Sequence, residues 1–201
     1  MLTRKLEIPH ISTGDMLRDR IRSGAETGTA VMAKMQSGAL VADEVVNILV
    51  ERRLLEPDAA GGFILDGYPR TIDQAESLAR WLTGRGICEV VIHLEVDYDV
   101  IIKRLTGRRQ CPVCGTLYNV ASKPPKKAGL CDRDGVGLVI REDDREDVIR
   151  ERLEAYERQT RPVMEYFRSN GHRVEDLDAS SAPPEAVFQR ICQTMGSHDC
   201  S

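Results

Sequence analysis

The sequence predicts an α/β fold with a largely parallel sheet flanked by helices. Three short apolar runs are typical of buried strands, at residues 62–65, 90–94 and 174–177. Each run lies between segments with helical periodicity, which is the pattern of parallel strands joined by helical crossovers. Ligands of such sheets bind beyond the carboxyl ends of the strands. We therefore expect functional residues directly after each strand.

Helical segments fill the stretches between the predicted strands. Thr71 is a suitable N-cap for a helix that runs to about residue 82, because its hydroxyl can accept a hydrogen bond from the first turn. The other helices are expected over residues 43–55, 97–105, 145–167 and 185–195.

Composition limits the class of protein. The 201 residues suit one domain, and the 41% apolar and 30% charged residues are those of an ordinary soluble protein. The net charge of −4 argues against a general nucleic-acid or membrane-surface binder. No window approaches the roughly 18 apolar residues of a membrane span, and no apolar signal core follows Met1. We therefore expect a cytoplasmic protein with no membrane partner.

Residues 108–144 interrupt the alternation of strands and helices, since they are rich in Gly, Pro, Cys and Lys without a helical period. They contain the pair Cys111 and Cys114, followed by Cys131 in the sequence Cys-Asp-Arg-Asp. A C-x₂-C pair can seat one metal ion, and a second pair of ligands closes a tetrahedral site. The fourth ligand would be a carboxylate, either Asp132 or Asp134. A zinc ribbon that binds nucleic acid is a further interpretation of this stretch, which the acidic charge balance disfavours.

The segment after the first predicted strand places an acid, a glycine and an arginine close together. Asp66 can hold Mg²⁺ through its water shell, Gly67 lets a ligand approach the backbone, and Arg70 can fork onto a phosphate. Gln74 lies one turn further on, where its amide could read a base edge. A turn with an exposed arginine is the simpler interpretation of this segment taken alone.

A second segment, ISTGDMLR at residues 11–18, opens a helix with a hydroxyl, a glycine and an arginine. Ser12 and Asp15 are spaced as a capping box, so a plain helix start explains most of it. Together, however, the two segments resemble adenylate kinases. ISTGDMLR is similar to the first nucleoside-monophosphate motif of that family, and GFILDGYPRTIDQ to the second.

The resemblance implies a P-loop-kinase-like sheet in one domain, residues 1–201, with an AMP-binding flap at 12–41 and a zinc-binding lid at 107–144. It implies reversible phosphoryl transfer from MgATP to AMP, giving two ADP, in purine nucleotide homeostasis, usually by a monomer. UMP and CMP kinases share the fold, but Gln74 and the long lid favour AMP. In the zinc-binding lid of some bacterial adenylate kinases the fourth ligand is an Asp, and this resemblance selects Asp134 for a structural Zn²⁺ held with Cys111, Cys114 and Cys131.

The resemblance also assigns substrate sites residue by residue. Of the arginines near the lid, Arg109 and Arg150 are interpreted as solvated, as charges on a helix usually are. The resemblance implies that the catalytic charges are Arg108, Arg141 and Arg152, together with Arg70 of the second motif. The ATP site would use Arg104, Arg108, Leu117 and Tyr118, with Asp66 on the water shell of Mg²⁺. The AMP site would use Thr13, Arg18, Ala39, Leu40, Val41, Gly67, Arg70, Gln74, Arg141 and Arg152.

One expected motif is absent from the sequence. Such kinases use a G-x-x-x-x-G-K-[ST] loop to cradle phosphates, and the family places it, with a central first strand, upstream of the segment that residues 2–7 resemble. Without that strand we expect a gap in the sheet, which must close up or be filled by another chain. We expect severely impaired catalysis by the 201 residues alone. Two interpretations stay open: a start assigned too late, or a short form that binds AMP or zinc without turnover.

Overall fold

The computed structural model describes residues 1–23, 33–37 and 39–196. Residues 24–32 and 38 of the predicted flap lie outside the described residues. No helix in the described ranges is long and apolar enough to cross a membrane. The strands are β1 (His10–Ser12), β2 (Ile64–Asp66), β3 (Val91–Glu95), β4 (Arg108–Gln110), β5 (Leu117–Asn119) and β6 (Val174–Asp178). The helices are α1 (Leu2–Leu6), α2 (Thr13–Arg22), α3 (Asp43–Leu54), α4 (Ile72–Thr83), α5 (Tyr98–Thr106), α6 (Glu146–Ala155), α7 (Arg161–Ser169) and α8 (Pro184–Gly196).

The parallel strands form two separate pairs. β1 pairs with β2, and β3 pairs with β6, each in parallel register. The three predicted strands are confirmed, with ends that differ from the prediction by at most two residues. β1 was not predicted, because His10–Ser12 contains a single apolar residue and so gives no apolar run to recognise.

A cavity of about 2110 Å³ lies between the two strand pairs, lined by β2 on one side and β3 on the other. In the described residues no ladder hydrogen bond joins these two strands. The halves are connected instead by helices: Ala75 of α4 packs against Val163 and Phe167 of α7, all fully buried. A second cluster around Ile11, Val46 and Val50 packs α3 under β1.

The long helix predicted over residues 145–167 is wrong in one respect. A π-helical turn, Tyr156–Thr160, interrupts it between α6 and α7. Pro162 stands near the start of α7, and proline has no N–H to donate to the carbonyl of residue 158. The neighbouring N–H of Arg161 reaches back five residues, to the carbonyl of Tyr156. The wider turn therefore follows from the proline.

Candidate functional site

The two motif segments meet at the carboxyl ends of β1 and β2. The hydroxyl of Ser12 accepts a hydrogen bond from the N–H of Asp15 at 3.4 Å and so caps α2. Thr13, the first residue of that helix, is buried and donates its hydroxyl to the carbonyl of Gly67 at 2.8 Å. Because β1 and β2 run in register, the ends of both strands face the same edge of the pair.

Gly67 sits where only glycine fits well. Its φ is +73°, and a Cβ built there would lie 2.8 Å from Nη2 of Arg70 and 3.1 Å from the hydroxyl of Thr13. Arg70 folds back over this gap and donates its Nε–H to the Gly67 carbonyl at 2.9 Å. Burial lowers the pKa of Arg70, and the positive charges of Arg152 and Arg18 lower it further. The guanidinium is therefore held among like charges, in a position suited to an anion.

Gln74 is almost completely buried in the first turn of α4. Thr71 caps this helix by accepting the Gln74 N–H at 3.2 Å, as predicted. The Gln74 side chain accepts from the N–H of Arg70 at 2.8 Å and donates to Asp43 at 2.7 Å. A carboxamide has two donors and two lone pairs, so one of each remains for a ligand.

A cavity of about 80 Å³ opens beside these residues. Small-molecule pockets usually measure about 300–1,000 Å³, so a nucleotide requires its walls to move apart. Arg141 is the one predicted AMP residue that does not line it. Those that line it are Thr13, Arg18, Ala39, Leu40, Val41, Gly67, Arg70, Gln74 and Arg152.

The larger cavity between the strand pairs reaches the same place from the other side. It is lined by Asp66 and by every residue predicted for ATP, namely Arg104, Arg108, Leu117 and Tyr118. Gly67, Arg70 and Arg152 line both cavities. Two arginines therefore stand on the boundary between the space predicted for ATP and the space predicted for AMP.

Sequence reasoning missed two acids among these arginines. Asp143 accepts from Arg18 at 3.5 Å, and its carbonyl accepts from Arg152 at 3.2 Å. Asp144 accepts from Arg108 at 3.2 Å through Oδ1, while its buried Oδ2 has no partner. Burial raises the pKa of Asp144. The only sequence signal was their position two and three residues after Arg141, inside a run of charges that is typical of an exposed surface.

The remaining predicted arginines lie around this cluster. Arg141 donates to the side chain of Gln110 at 2.7 Å. Burial lowers the pKa of Arg141, and the positive charges of Arg18 and Arg108 lower it further. Arg104 instead donates to the carbonyls of Ala179 and Ser180, both at 3.1 Å. Arg104 is therefore held by two backbone carbonyls that follow β6.

Asp66 ends β2 with its carboxylate largely exposed to the larger cavity. Nε2 of His10, on the neighbouring strand, lies 3.1 Å from its Oδ2. The other carboxylate oxygen is left for water or a hydrated cation, which is how Mg²⁺ is usually held by a single acidic side chain.

A separate group of side chains in residues 111–134 can hold a metal ion. Ligand atoms of Cys111, Cys114, Cys131 and Asp134 all lie within 4.8 Å of one another. Cys114 Sγ is 3.7 Å from Cys131 Sγ, and Cys111 Sγ is 3.1 Å from the Asp134 carboxylate. Such spacings suit a tetrahedral ion with metal–sulfur bonds of about 2.3 Å. Asp132 accepts from the N–H of Lys126 at 2.8 Å instead, so the geometry favours Asp134.

Backbone N–H groups point at two of the sulfurs, but the pKa values of these two thiols are shifted in opposite directions. N–H groups of Cys114 and Arg133 point at Cys111 and Cys131 at 3.5 and 3.4 Å. The pKa of Cys131 is lowered even though burial opposes this, because the Tyr118 hydroxyl and backbone N–H groups donate to its sulfur. Burial raises the pKa of the Cys111 thiol to about 11, so a metal ion would have to displace that proton.

Comparisons with known proteins agree on one family. The model of a family described as "Adenylate kinase" matches residues 1–172. A protein named adenylate kinase from Anaeromyxobacter dehalogenans (strain 2CP-C) is 47% identical over 197 residues, which cover 98% of this chain and 91% of that protein. One from Moorella thermoacetica is 44% identical over 196 residues, with 97% and 89% covered. One from Thermoanaerobacter sp. (strain X514) is 41% identical over 196 residues, with the same coverage.

Proposed function

This chain belongs to the adenylate kinase family of phosphotransferases, and we propose that it transfers a phosphoryl group from MgATP to AMP, giving two ADP. The observation that carries the proposal is the pair Arg70 and Arg152, which line both cavities. A phosphoryl group that passes between two nucleotides must cross such a boundary, and positioned positive charge is what that transfer requires.

AMP would occupy the smaller cavity after its walls part. Arg18 and Arg152, now paired with Asp143, would exchange this carboxylate for the AMP phosphate, since a guanidinium can pair with the oxygens of either anion. The free N–H and lone pair of Gln74 would then face the adenine. Movement of the predicted flap, residues 12–41, would supply the opening and afterwards exclude water.

ATP would bind on the side of the larger cavity, with Arg108 and Arg104 toward its phosphates. Leu117 is 40% exposed and can cover an adenine, whereas Tyr118 is buried against the cysteines and would support Leu117 from below. Mg²⁺ bound with ATP would neutralise phosphate charge, and Asp66 is placed to accept hydrogen bonds from its water shell.

We further propose a structural zinc ion at Cys111, Cys114, Cys131 and Asp134. All four positions would be filled by protein ligands, which leaves no position for a reacting water. The support is the agreement between the observed spacings and a tetrahedral site, together with the N–H groups directed at sulfur. The ion would hold the lid, residues 107–144, whose β4 and β5 are only three residues each.

The cavity between β2 and β3 is where we propose that the family's first strand belongs. Its volume of about 2110 Å³ is at least twice that of a usual ligand pocket, and it is bordered by one strand from each of the two parallel pairs. Edges with unpaired N–H and C=O groups are sites for another strand. The G-x-x-x-x-G-K-[ST] loop would then follow that strand and face Arg108 and Arg152.

The first experiment measures AMP binding to the 201-residue chain by calorimetry, beside two variants. Arg70→Ala should abolish measurable binding, because a charged contact to phosphate is lost. Arg150→Ala is the matched control, since Arg150 is exposed and paired with Glu146 on the outer face of α6. Equal affinities for wild type and Arg70→Ala would refute the proposed site.

The second experiment separates an active kinase from a form that only binds AMP or zinc. Turnover of MgATP and AMP is measured for the chain alone and for the same chain fused to an upstream strand and G-x-x-x-x-G-K-[ST] loop. We expect little ADP from the first and strong activity from the second. Full turnover by the chain alone would show that the loop is dispensable. Binding of AMP without turnover by the fused chain would instead favour the non-catalytic form.

A further inference from the structure

A chain of hydrogen bonds connects β6, β3 and the π-helical turn, and its members His93 and Tyr156 also line the larger cavity. Nδ1 of His93 lies 2.8 Å from Oδ1 of Asp176, and Nε2 of His93 lies 2.6 Å from the hydroxyl of Tyr156. The two rings stack with centroids 6.4 Å apart at an angle of 18°. Arg168 donates to the other oxygen of Asp176 at 2.5 Å. Three elements are thus fixed to one another through one imidazole.

The surrounding charges indicate the direction of these bonds. The hydrogen bond from His93 and the charge of Arg168 hold the pKa of Asp176 below its usual range, so this group is a carboxylate and accepts. Nδ1 of His93 therefore carries a proton and donates. In the neutral imidazole, Nε2 must then accept, and Tyr156 donates its hydroxyl. Burial raises the pKa of Tyr156, which keeps that hydroxyl protonated.

A metal ion is a weaker explanation of the same side chains. Glu95 lies close enough to form a group of three possible ligands with His93 and Asp176. Both ring nitrogens of His93 already have protein partners, and Arg168 supplies the positive charge beside Asp176. The geometry favours a hydrogen-bonded brace over a cation site.

Tyr156 occupies the point at which this brace can act on the predicted phosphate site. It begins the π-helical turn, one turn after Arg152. One turn beyond it, Thr160 donates its hydroxyl to the backbone carbonyl of Arg70 at 3.0 Å. The helical segment around Tyr156 therefore carries Arg152 on one side and contacts Arg70 on the other, and these are the two arginines that line both cavities.

We propose that the His93–Asp176 pair is a positioning device that holds Arg152 and Arg70 in place through Tyr156. The inference rests on the proposed function, because it assigns these arginines to phosphate. His93 and Tyr156 themselves do not contact AMP in this scheme. Their effect should be felt by the phosphate of the ligand and not by its adenosine part.

The test compares binding of AMP and adenosine to four variants by calorimetry. Tyr156→Phe removes one hydroxyl and keeps the ring, so AMP affinity should fall about three- to tenfold, the range of one ordinary hydrogen bond. Adenosine affinity should not change. Tyr98→Phe, at an exposed tyrosine on α5, is the matched control and should change neither. His93→Asn keeps an amide near Asp176 but cannot reach Tyr156, whereas His93→Gln can present its amide to Tyr156 and should restore AMP affinity.

Each outcome decides the proposal. If Tyr156→Phe lowers the melting temperature while AMP affinity stays unchanged, the brace is only structural and the inference is wrong. The same conclusion follows if AMP and adenosine weaken equally, or if His93→Gln binds no better than His93→Asn. If wild type binds no AMP, the proposed function fails, and the positioning role of His93 and Asp176 is then tested by amide hydrogen exchange. Unchanged exchange of the amides at Arg70 and in Tyr156–Thr160 in Tyr156→Phe would overturn it.

Discussion

Replacing Gly67 with alanine tests the predicted phosphate site with the smallest possible change. The substitution adds one methyl group and removes no charge or hydrogen-bonding atom. The new Cβ would stand 2.8 Å from Nη2 of Arg70, which is closer than unbonded atoms of these types approach. Because Gly67 also has a φ of +73°, the alanine is strained in its backbone as well as by its contact with Arg70.

The two costs can be estimated separately. An L-residue in the left-handed region costs about 1–2 kcal/mol. For a chain of this size that corresponds to a fall in melting temperature of roughly 2–8 °C. Displacing Arg70 from its place would weaken a charge-assisted hydrogen bond to phosphate, worth about 1.5–3 kcal/mol. AMP affinity should therefore fall roughly ten- to a hundredfold.

Gly86→Ala is the control that separates these effects. Gly86 has a φ of +63°, but a Cβ there would meet nothing within 4 Å. Both variants should lose similar stability in thermal unfolding, whereas calorimetry should show weaker AMP binding for Gly67→Ala alone. The reasoning is refuted if Gly67→Ala binds AMP as tightly as wild type, or if Gly86→Ala weakens binding equally.

Three further predictions concern the metal, the pH dependence and the core. Cys131→Ser should reduce bound zinc, measured by elemental analysis, from one ion per chain to well below one, whereas Cys192→Ser should leave it unchanged; equal zinc contents would exclude the cysteine site. The pKa of Asp176 is lower in the folded chain than its unfolded value near 3.8, so the carboxylate contributes stability above pH 3.8 that is lost as the pH falls through the folded pKa. Asp176→Asn should therefore flatten the acid side of a plot of melting temperature against pH. Parallel curves for the variant and the wild type would contradict this. Ile149→Ala should lower the free energy of unfolding by about 2–5 kcal/mol in urea titrations, since Ile149 is 0% exposed, and a loss under 1 kcal/mol would mean that the site collapses around the smaller side chain.

The sequence predicted most of the regular elements, because their signals are local. The cap at Thr71 and the apolar run before Asp66 appear where expected, since capping and strand burial depend on neighbouring residues. The π-helical turn was missed even though Pro162 was visible. A proline near a helix start is usually harmless, and a wider turn between two helices gives no separate signal in the sequence.

The candidate site was predictable where a motif supplied it. Thr13 and Gly67 belong to separate segments, and the prediction that they share a site agrees with their hydrogen bond at 2.8 Å. Asp143 and Asp144 could not be found in this way. Asp144 is buried beside Arg108 and Asp143 pairs with Arg18, both distant in sequence, whereas a string of charges is ordinarily exposed.

Tyr118 connects the cysteine cluster to the wall of the larger cavity. Its hydroxyl accepts from the N–H of Asp132 at 2.8 Å and lies 3.5 Å from Cys131 Sγ, while its neighbour Leu117 lines the larger cavity. An ion that orders Cys131 would therefore also order the wall on which ATP is proposed to rest. Thermodynamic linkage is reciprocal, so a bound nucleotide would raise zinc affinity by the same factor by which zinc raises nucleotide affinity. The affinity of the chain for ATP would then depend on how much zinc is available.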